Sequence, residues 1–523
     1  MNLLTDSLLR AVTDRGEEAL TLPGLLAALG QDRVDHLVGL QRHQADAFHV
    51  FLCCLAGAVL ARDGETDPVQ SEAYWREGLR SLAGEAGDDA WTLVVPDLSR
   101  PAFMQPPLPA ADHDRLKPIA SSADALDVLV TSKNHDVKRE RARFSTPDEW
   151  VYALVSLQTM SGYLGSGNQG IVRMNGGYGN RPIVELVRSH RMGSRWRDAV
   201  ARLLRYRRQV LDEGFGYDPD GLVLVWLEPW DGRSSLPLSR LDPFHVEICR
   251  RVRLTTAGTT IRAASVRADA PRIGAKELKG VVGDAWLPVD LAADGRNREG
   301  AVQALTVPPR GLTPDILRRL VFADGLRTTP LQQPGEGWKG PLWLTASVLV
   351  RGEGRTDGFH ECHIPIPPPV QPRLFGPPEK RDPLAQLGKT AVEYAGIVEN
   401  RVLKPAIFTY LEAAPASLEL DRAATNAWWQ RFAGRFGGLW AESYFPWLWS
   451  VPDPFEEERV LAQWVTILRD HALTVLDEAR MALPRRAGRQ YRAWVAADRT
   501  FWGSLYRAFP FVKEGEHERV TTP

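Results

Sequence analysis

Clusters of cationic side chains are the first feature of this sequence that could carry chemistry. Nine arginines lie between positions 181 and 208, and positions 133–143 hold five more cationic residues. Guanidinium and ammonium groups at this density displace counterions from a phosphate backbone, which gives affinity without sequence preference. The competing interpretation is a solvated helix face with internal ion pairs. The predicted phosphate contacts are Arg173, Arg191, Arg195 and Arg197.

A glycine-rich segment separates the two basic clusters. Six glycines and four Asn or Gln side chains lie between positions 165 and 180. Glycine lets a backbone approach a ligand closely and adopts positive φ without strain, and amide side chains offer the donors and acceptors that base edges need. An ordinary flexible loop is the alternative, but the flanking arginines favour a nucleic-acid loop. The predicted DNA contacts are Gly165, Ser166, Gly167, Asn168, Gln169 and Gly170.

Two apolar runs, at 342–350 and 359–366, are joined by a glycine-containing segment at 351–358. This spacing predicts a β-hairpin with its turn at 351–358. On a DNA-binding surface such a hairpin would act as a wedge between base pairs, whereas without that context it is an ordinary surface hairpin.

The signals for an enzyme are poor. The tripeptide 388–390 resembles the end of a phosphate-binding loop, but Pro383 replaces the glycine that such a loop needs. His360 and His363 lie near Glu361 and Cys362, yet alternation along a strand prevents all four from facing one ion. The sequence therefore predicts no catalytic residue, no metal and no cofactor.

Composition limits the class of protein. The chain has 523 residues, 44% of them hydrophobic, and a net charge of -1, which excludes a disordered chain and a uniformly basic nucleic-acid binder. Four cysteines cannot form a disulfide framework, so a reducing compartment is expected. We find no signal peptide pattern, and the longest apolar run, 50–61, is too short to span a bilayer. A cytoplasmic protein without membrane contact is expected.

A proline-rich stretch divides the chain. Eight of the nineteen residues in 365–383 are proline, which predicts a stiff, extended connector. The fold class predicted is α+β: a large, irregular mixed domain at 1–375, then an antiparallel four-helix bundle at 383–510 and a flexible tail at 511–523. Apolar residues at three- and four-residue spacing in the last quarter indicate the helices of the bundle.

Local signals place several elements. Thr146, Pro147 and Glu149 predict the start of a helix through a capping box. Strands are expected at 222–227 and 302–307. In the bundle, we expect a helix kinked at Pro405, a second over 421–444, a third over 461–479 and a fourth beginning at Pro484.

Four segments in this order resemble one known family. They are the opening 2–6 (NLLTD), 101–105 (PAFMQ), the stretch 158–186 around the glycines, and 243–249 (PFHVEIC). Together with the helical C-terminal quarter, they are similar to the CasA family, the large subunit of the type I-E CRISPR Cascade complex. The resemblance covers nearly the whole chain.

The resemblance implies a non-catalytic function. The family's large subunit docks at the 5′ end of the crRNA beside other Cascade subunits and recognises the protospacer-adjacent motif (PAM) of double-stranded DNA. It also promotes opening of the duplex for R-loop formation and helps to recruit the helicase-nuclease. Base pairing then reads the target sequence while protein reads the short duplex motif, as in other RNA-guided systems.

Residue roles follow from the same resemblance. The glycine loop 165–170 would approach the PAM minor groove, and the hairpin would carry Arg355, Thr356 and Asp357, where better-known members have glutamine at the tip. A basic finger is expected near Arg296 or Arg298. The docking segment for crRNA and neighbouring subunits would lie within 131–144 and include Lys133, Asn134, His135, Lys138 and Arg139.

Two alternatives remain open at this point. One is an enzyme, either a metal-dependent nuclease using His135, His360 and His363 or a nucleotide hydrolase. The other is a helical scaffold that binds proteins through the tryptophan-rich bundle.

Overall fold

The computed structural model describes most of the chain. The described residues are 1–127, 145–174, 180–258, 260–291, 302–335, 337–352, 355–412, 418, 420, 423–482 and 490–512, with side chains omitted at 351, 352, 355–357 and 424. The chain divides into two compact units, one formed by Met1–Leu312 with Gly325–Pro368 and the other by Thr313–Asp324 with Pro369–Pro523.

The first unit is mixed, with several small sheets. Its strands are β1 (Leu9–Thr13), β2 (Gly16–Leu20), β3 (Val34–Leu37), β4 (Lys117–Ala120), β5 (Ile183–Val187), β6 (Leu222–Leu224), β7 (Leu241–Val246), β8 (Arg251–Ala257), β9 (Thr260–Val266), β10 (Val289–Asp290), β11 (Gln303–Ala304), β12 (Leu326–Arg327), β13 (Leu342–Gly352) and β14 (Arg355–Ile366). Two three-stranded sheets matter for the site, with orders β4-β9-β8 and β14-β13-β5. Both are antiparallel throughout.

Helices surround these sheets. In the first unit they are α1 (Leu22–Gly30), α2 (Arg42–Asp63), α3 (Glu72–Ala83), α4 (Ala123–Leu126), α5 (Pro147–Met160) and α6 (Met192–Asp212). Helix α2 lies in the core, because its apolar residues face in every direction and most of them are buried. By length and composition α2 could cross a membrane, but 78% of its most apolar stretch is buried within the protein, as expected for a core helix.

The predicted capping box at the start of α5 is confirmed. The Thr146 side chain accepts from the backbone amide of Glu149, and the Thr146 amide donates to Glu149 Oε2 at 2.9 Å. Pro147 occupies the first turn, where its missing N–H leaves no bond unmade. The helix ends at Met160, and four residues separate it from the glycine loop.

The second unit is helical. It contains α7 (Pro314–Phe322), α8 (Gln371–Leu374), α9 (Pro378–Ile397), a π-helical turn (Val398–Leu403), α10 (Lys404–Leu411), α11 (Ala423–Ser450), α12 (Glu457–Ala482) and α13 (Gln490–Ala508). Buried tryptophans join the helices: the Trp464 indole donates to Ala391 O at 2.8 Å and stacks against Trp447. These tryptophans therefore pack the core of this unit.

Contacts along the helices give their directions. On α11 and α12, Arg435 pairs with Glu478 and Ser443 with His471, so these two helices run antiparallel. Helix α13 also runs antiparallel to the continuous rod formed by α9, the π turn and α10. Its contacts with that rod are Tyr394–Phe509 and Tyr410–Trp494. These pairs agree with the predicted α+β class ending in an antiparallel bundle.

Several local predictions were wrong or only partly confirmed. The stretch 365–383 is not uniformly extended: it ends β14, contains α8 and enters α9, which tolerates Pro378 in its first turn and holds Pro383 inside. The run 222–227 is strand only as far as Leu224 and continues as a 3-10 turn, and 302–307 supplies a two-residue strand.

The bundle helices also differ from expectation. The second runs on to Ser450 with Pro446 inside it. The sequence predicts a kink at Pro405; the structure has a π-helical turn, Val398–Leu403, that ends two residues before this proline. Pro484 lies outside the described residues.

Candidate nucleic-acid interface

The glycine loop 165–170 forms a tight turn on the surface. The amide of Asn168 donates to Gly165 O, and the amide of Leu164 donates to Asn168 O, both at 3.0 Å. Gly165 and Gly167 have φ of +100° and +83°, a conformation that strains any residue with a Cβ. Ser166 and Asn168 are exposed at the tip. Glycine is therefore required here by geometry, as the sequence predicted.

The loop is fastened to the chain that follows β9. The amide of Ala268 donates to Gly167 O at 3.0 Å, and the Gln169 side chain donates to the carbonyls of Ala268 and Asp269 at 3.1 and 3.0 Å. The Gln169 amide nitrogen thus holds the loop in place. Its amide nitrogen is already occupied, so the predicted DNA contact of Gln169 would use its side-chain oxygen and stays a prediction.

Two glycines permit close packing around the loop. A Cβ on Gly170 would lie 2.8 Å from the Tyr163 nitrogen, so only glycine fits against that backbone. A Cβ on Gly167 would lie 2.7 Å from the side chain of Arg267, which rests on this glycine. Arg267 is exposed, and within the described part of the chain we find no ion pair for its guanidinium.

Arg267 is a site residue that sequence reasoning missed. It lies about a hundred positions after the loop, outside both basic clusters, and only the β-sheet brings it to Gly167. Beside the loop is a cleft of about 520 Å³ lined by residues of both segments, including Tyr163, Ile171, Asp269 and Lys276. The Arg267 side chain, the backbone of the glycine turn and the exposed side chains of Ser166 and Asn168 therefore lie close together.

The C-terminal side of the loop is anchored in the interior. The amide of Val172 donates to Glu247 Oε1 at 2.6 Å, and Arg173 donates to Glu247 Oε2 at 3.2 Å. Arg173 and Arg181 both pair with Asp284, at 3.6 and 2.7 Å. Arg173 is thus buried in ion pairs, which corrects its predicted phosphate contact.

Replacing Glu247 by glutamine is expected to change how stability depends on pH. Burial raises the pKa of Glu247 to about 7, and Arg173 only partly opposes this. A carboxyl with a raised pKa in the folded state stabilises most below its ordinary pKa and loses that contribution as the pH rises through 7. Wild type should therefore lose stability between pH 5 and pH 8, and the Glu247→Gln variant should not. Relative to wild type, the free energy of unfolding of the variant should rise by on the order of 2 kcal/mol over this pH range.

Denaturant titrations at the two pH values measure this change. The exposed carboxylate of Glu77, replaced by glutamine, is the matched control. A pH dependence that is the same in both variants would contradict the role given to burial of Glu247.

The arginine-rich segment 181–208 is mainly an internal ion-pair network. Arg195 donates to Glu185 and Asp46, each at 2.9 Å from Nη2, and its side chain is 19% exposed. Burial opposes ionisation of Glu185, but the guanidinium of Arg195 outweighs it and holds the pKa at about 2. The phosphate contact predicted for Arg195 is corrected accordingly, because its donors hold α6 to β5 and α2.

Other arginines of the segment are at least partly exposed, and some of them also have partners. Arg191 pairs with Asp32 at 2.8 Å while 69% of its side chain stays exposed, and Arg197 donates to Gly30 O at 3.2 Å. Arg205 and Arg208 are exposed, and no ion pair is recorded for either among the described residues. Phosphate contacts from Arg191 and Arg197 stay predictions.

The backbone pairing of β13 with β14 confirms the predicted hairpin. Strands β13 and β14 pair from Leu342 with Ile366 to Gly352 with Arg355. Arg355, Thr356 and Asp357 belong to β14, and their side chains are outside the described part of the structure, as are residues 353 and 354. Five docking candidates (Lys133, Asn134, His135, Lys138, Arg139) and the two finger candidates (Arg296, Arg298) also lie outside it.

Metal-binding chemistry finds no support in the described residues, where no group of three His, Cys, Asp or Glu side chains could hold an ion. His360 and His363 lie on β14, and His363 contacts Glu361 at 3.0 Å. The tripeptide 388–390 lies inside α9, so it forms no phosphate-binding loop.

Solved structures share this architecture. The crystal structure of Thermus thermophilus CasA aligns with a TM-score of 0.65 at 14% identity over 97% of this chain and 99% of that one. Cse1 of Acidimicrobium ferrooxidans, a CRISPR-associated protein, and Thermobifida fusca Cse1 each align with a TM-score of 0.60 at 16% identity, over 97% and 98% of this chain and 98% of each of those proteins. No protein-family model and no curated protein matches the sequence. At these identities the alignments establish the fold, and the chain has the CasA/Cse1 fold over nearly its whole length.

Proposed function

We propose that this protein is the large, non-catalytic subunit of a type I-E Cascade complex and that it contacts target double-stranded DNA through the glycine loop 165–170 and Arg267. The observation that carries the proposal is the contact of the exposed Arg267 side chain with Gly167, beside the exposed Ser166 and Asn168 of the same turn. The CasA/Cse1 fold over 97% of the chain supports the assignment to the complex.

The geometry suits the minor groove of a duplex. That groove is narrow and presents a degenerate set of acceptors, which arginine and amide side chains commonly contact. Gly165 is partly exposed with no side chain near it, and Ser166 and Asn168 offer hydrogen bonds at the tip. Arg267 supplies the charge. Recognition of a short, permissive motif follows from these parts.

The hairpin β13–β14 would then open the duplex. Unstacking a base step costs a few kcal/mol, which contacts to the displaced bases and the new guide–target heteroduplex offset. We assign this role to the outer end of the hairpin, 351–358, and we expect crRNA, neighbouring Cascade subunits and the helicase-nuclease as further partners in the cytoplasm. Neither recruitment nor docking requires a catalytic group on this chain.

Replacing Arg267 by alanine tests the charge directly. We expect affinity of the assembled complex for duplex DNA to fall, and the slope of log affinity against log salt to become smaller by about one, because one phosphate neutralisation is lost. Arg15, exposed in the turn between β1 and β2, is the matched control and should leave both quantities unchanged when replaced by alanine. An unchanged salt slope for Arg267→Ala would refute the contact.

A further inference from the structure

The hairpin β13–β14 extends past the strand that supports it. Strand β5 pairs with β13 from Trp343 to Ser347, where Ser347 faces Ile183. Beyond that rung β13 and β14 go on pairing with each other as far as Gly352 and Arg355. Whatever fixes the direction of the outer part must therefore act at or after Ser347.

Side chains at the start of α2 contact both hairpin strands at the position of Ser347. Ser347 of β13 and Glu361 of β14 lie directly opposite each other. The Ser347 hydroxyl donates to the Asp46 carboxylate, and the Arg42 guanidinium pairs with Glu361. Arg42 and Asp46 are four residues apart on α2, so they project from one face of the helix.

This turn is itself held from two other directions. His43 Nε2 lies 2.7 Å from Asp127 Oδ2, and the side chain of Gln44 donates to the same oxygen at 2.5 Å. Arg195 of α6 binds Asp46 Oδ1 at 2.9 Å. The carboxylate that receives Ser347 is thus fixed by a second, largely buried partner.

We propose that Arg42 and Asp46 are positioning residues for the hairpin. By holding the pair Ser347 and Glu361 they fix the direction of the outer part of the hairpin, where β13 and β14 pair as far as Gly352 and Arg355. We call the contacts of Arg42 and Asp46 with Glu361 and Ser347 the clamp. Its consequence rests on the proposed function: the clamp supports strand opening and contributes nothing to initial duplex binding.

The double variant R42A/S347A removes one contact from each strand without leaving a charge unpaired in the core. Arg42 is 83% exposed, and Asp46 keeps Arg195 as its partner when the Ser347 hydroxyl is gone. The control is R80A/T345V, which removes an exposed arginine from its pair with Asp88 and, from the same strand, a hydroxyl that donates to Glu185 O.

Two measurements on the full-length protein in its complex decide the matter. Hydrogen exchange without DNA should show faster exchange at Val348–Val350 in R42A/S347A than in the control. Permanganate footprinting should show strand opening slowed by about tenfold, since small misplacements of a working group have large kinetic effects, with duplex affinity within about twofold of wild type.

Opening as fast as in the control, or exchange equal to the control, would overturn the clamp. If wild-type complex neither binds nor opens DNA, the proposed function fails, and the exchange comparison alone then decides whether Arg42 and Asp46 hold the hairpin.

Discussion

Replacing Arg195 by methionine is expected to lower the free energy of unfolding by about 3–5 kcal/mol. The substitution leaves Glu185, which is 1% exposed, without its guanidinium partner and removes one of the ties of Asp46. Methionine fills a similar volume, so the loss comes from the uncompensated charges and not from a cavity. Denaturant unfolding followed by tryptophan fluorescence measures the change.

Arg197→Met is the matched control for this change. Arg197 lies two positions along the same helix, is 36% exposed and contacts Gly30 O, so we expect a loss below about 1 kcal/mol. If Arg195→Met folded as stably as wild type while losing DNA affinity at all sequences alike, the network would be unimportant and the earlier phosphate assignment would be restored.

Replacing Gly167 by alanine should reduce the affinity of the complex for PAM-containing duplex by about tenfold or more, equivalent to at least ~1.4 kcal/mol. Alanine is strained at φ +83°, and its Cβ would lie 2.7 Å from the Arg267 side chain, which must leave its seat. The substitution therefore disturbs both the glycine loop and the Arg267 side chain. Competition binding with duplexes that differ only in the motif measures the loss.

Gly216→Ala separates backbone strain from function. Gly216 has φ of +78° and open space around it, so alanine there carries a similar strain and meets no neighbour. Equal losses of DNA affinity in the two variants would show that the effect comes from global stability, and the loop would lose its assigned role.

Local signals in the sequence were sufficient for much of the fold. Thr146 and Glu149 placed the start of α5 because a capping box depends on residues three apart. The hairpin followed from two apolar runs around glycines, and the bundle from helical periodicity. The positive φ of Gly165 and Gly167 agrees with the prediction that this segment needs glycine.

Partners distant in sequence could not be predicted. The charge density of 181–208 indicated phosphate, but the carboxylates that bind these arginines include Asp32, Asp46 and Asp284, which only the tertiary fold brings near. Arg267 was missed for the same reason. Charge clusters therefore showed where arginines are frequent, while burial and ion pairing decide which of them are available to a ligand.

Photo-cross-linking from the tip of the glycine loop tests the central claim most directly. A benzophenone amino acid in place of Ser166, which is exposed, is incorporated into the complex with guide RNA and irradiated with target duplex. We predict cross-links to bases beside the motif that disappear when the motif is changed. Cross-links no stronger than those from the same amino acid at Arg15, or independent of the motif, would contradict contact between the loop and the double helix.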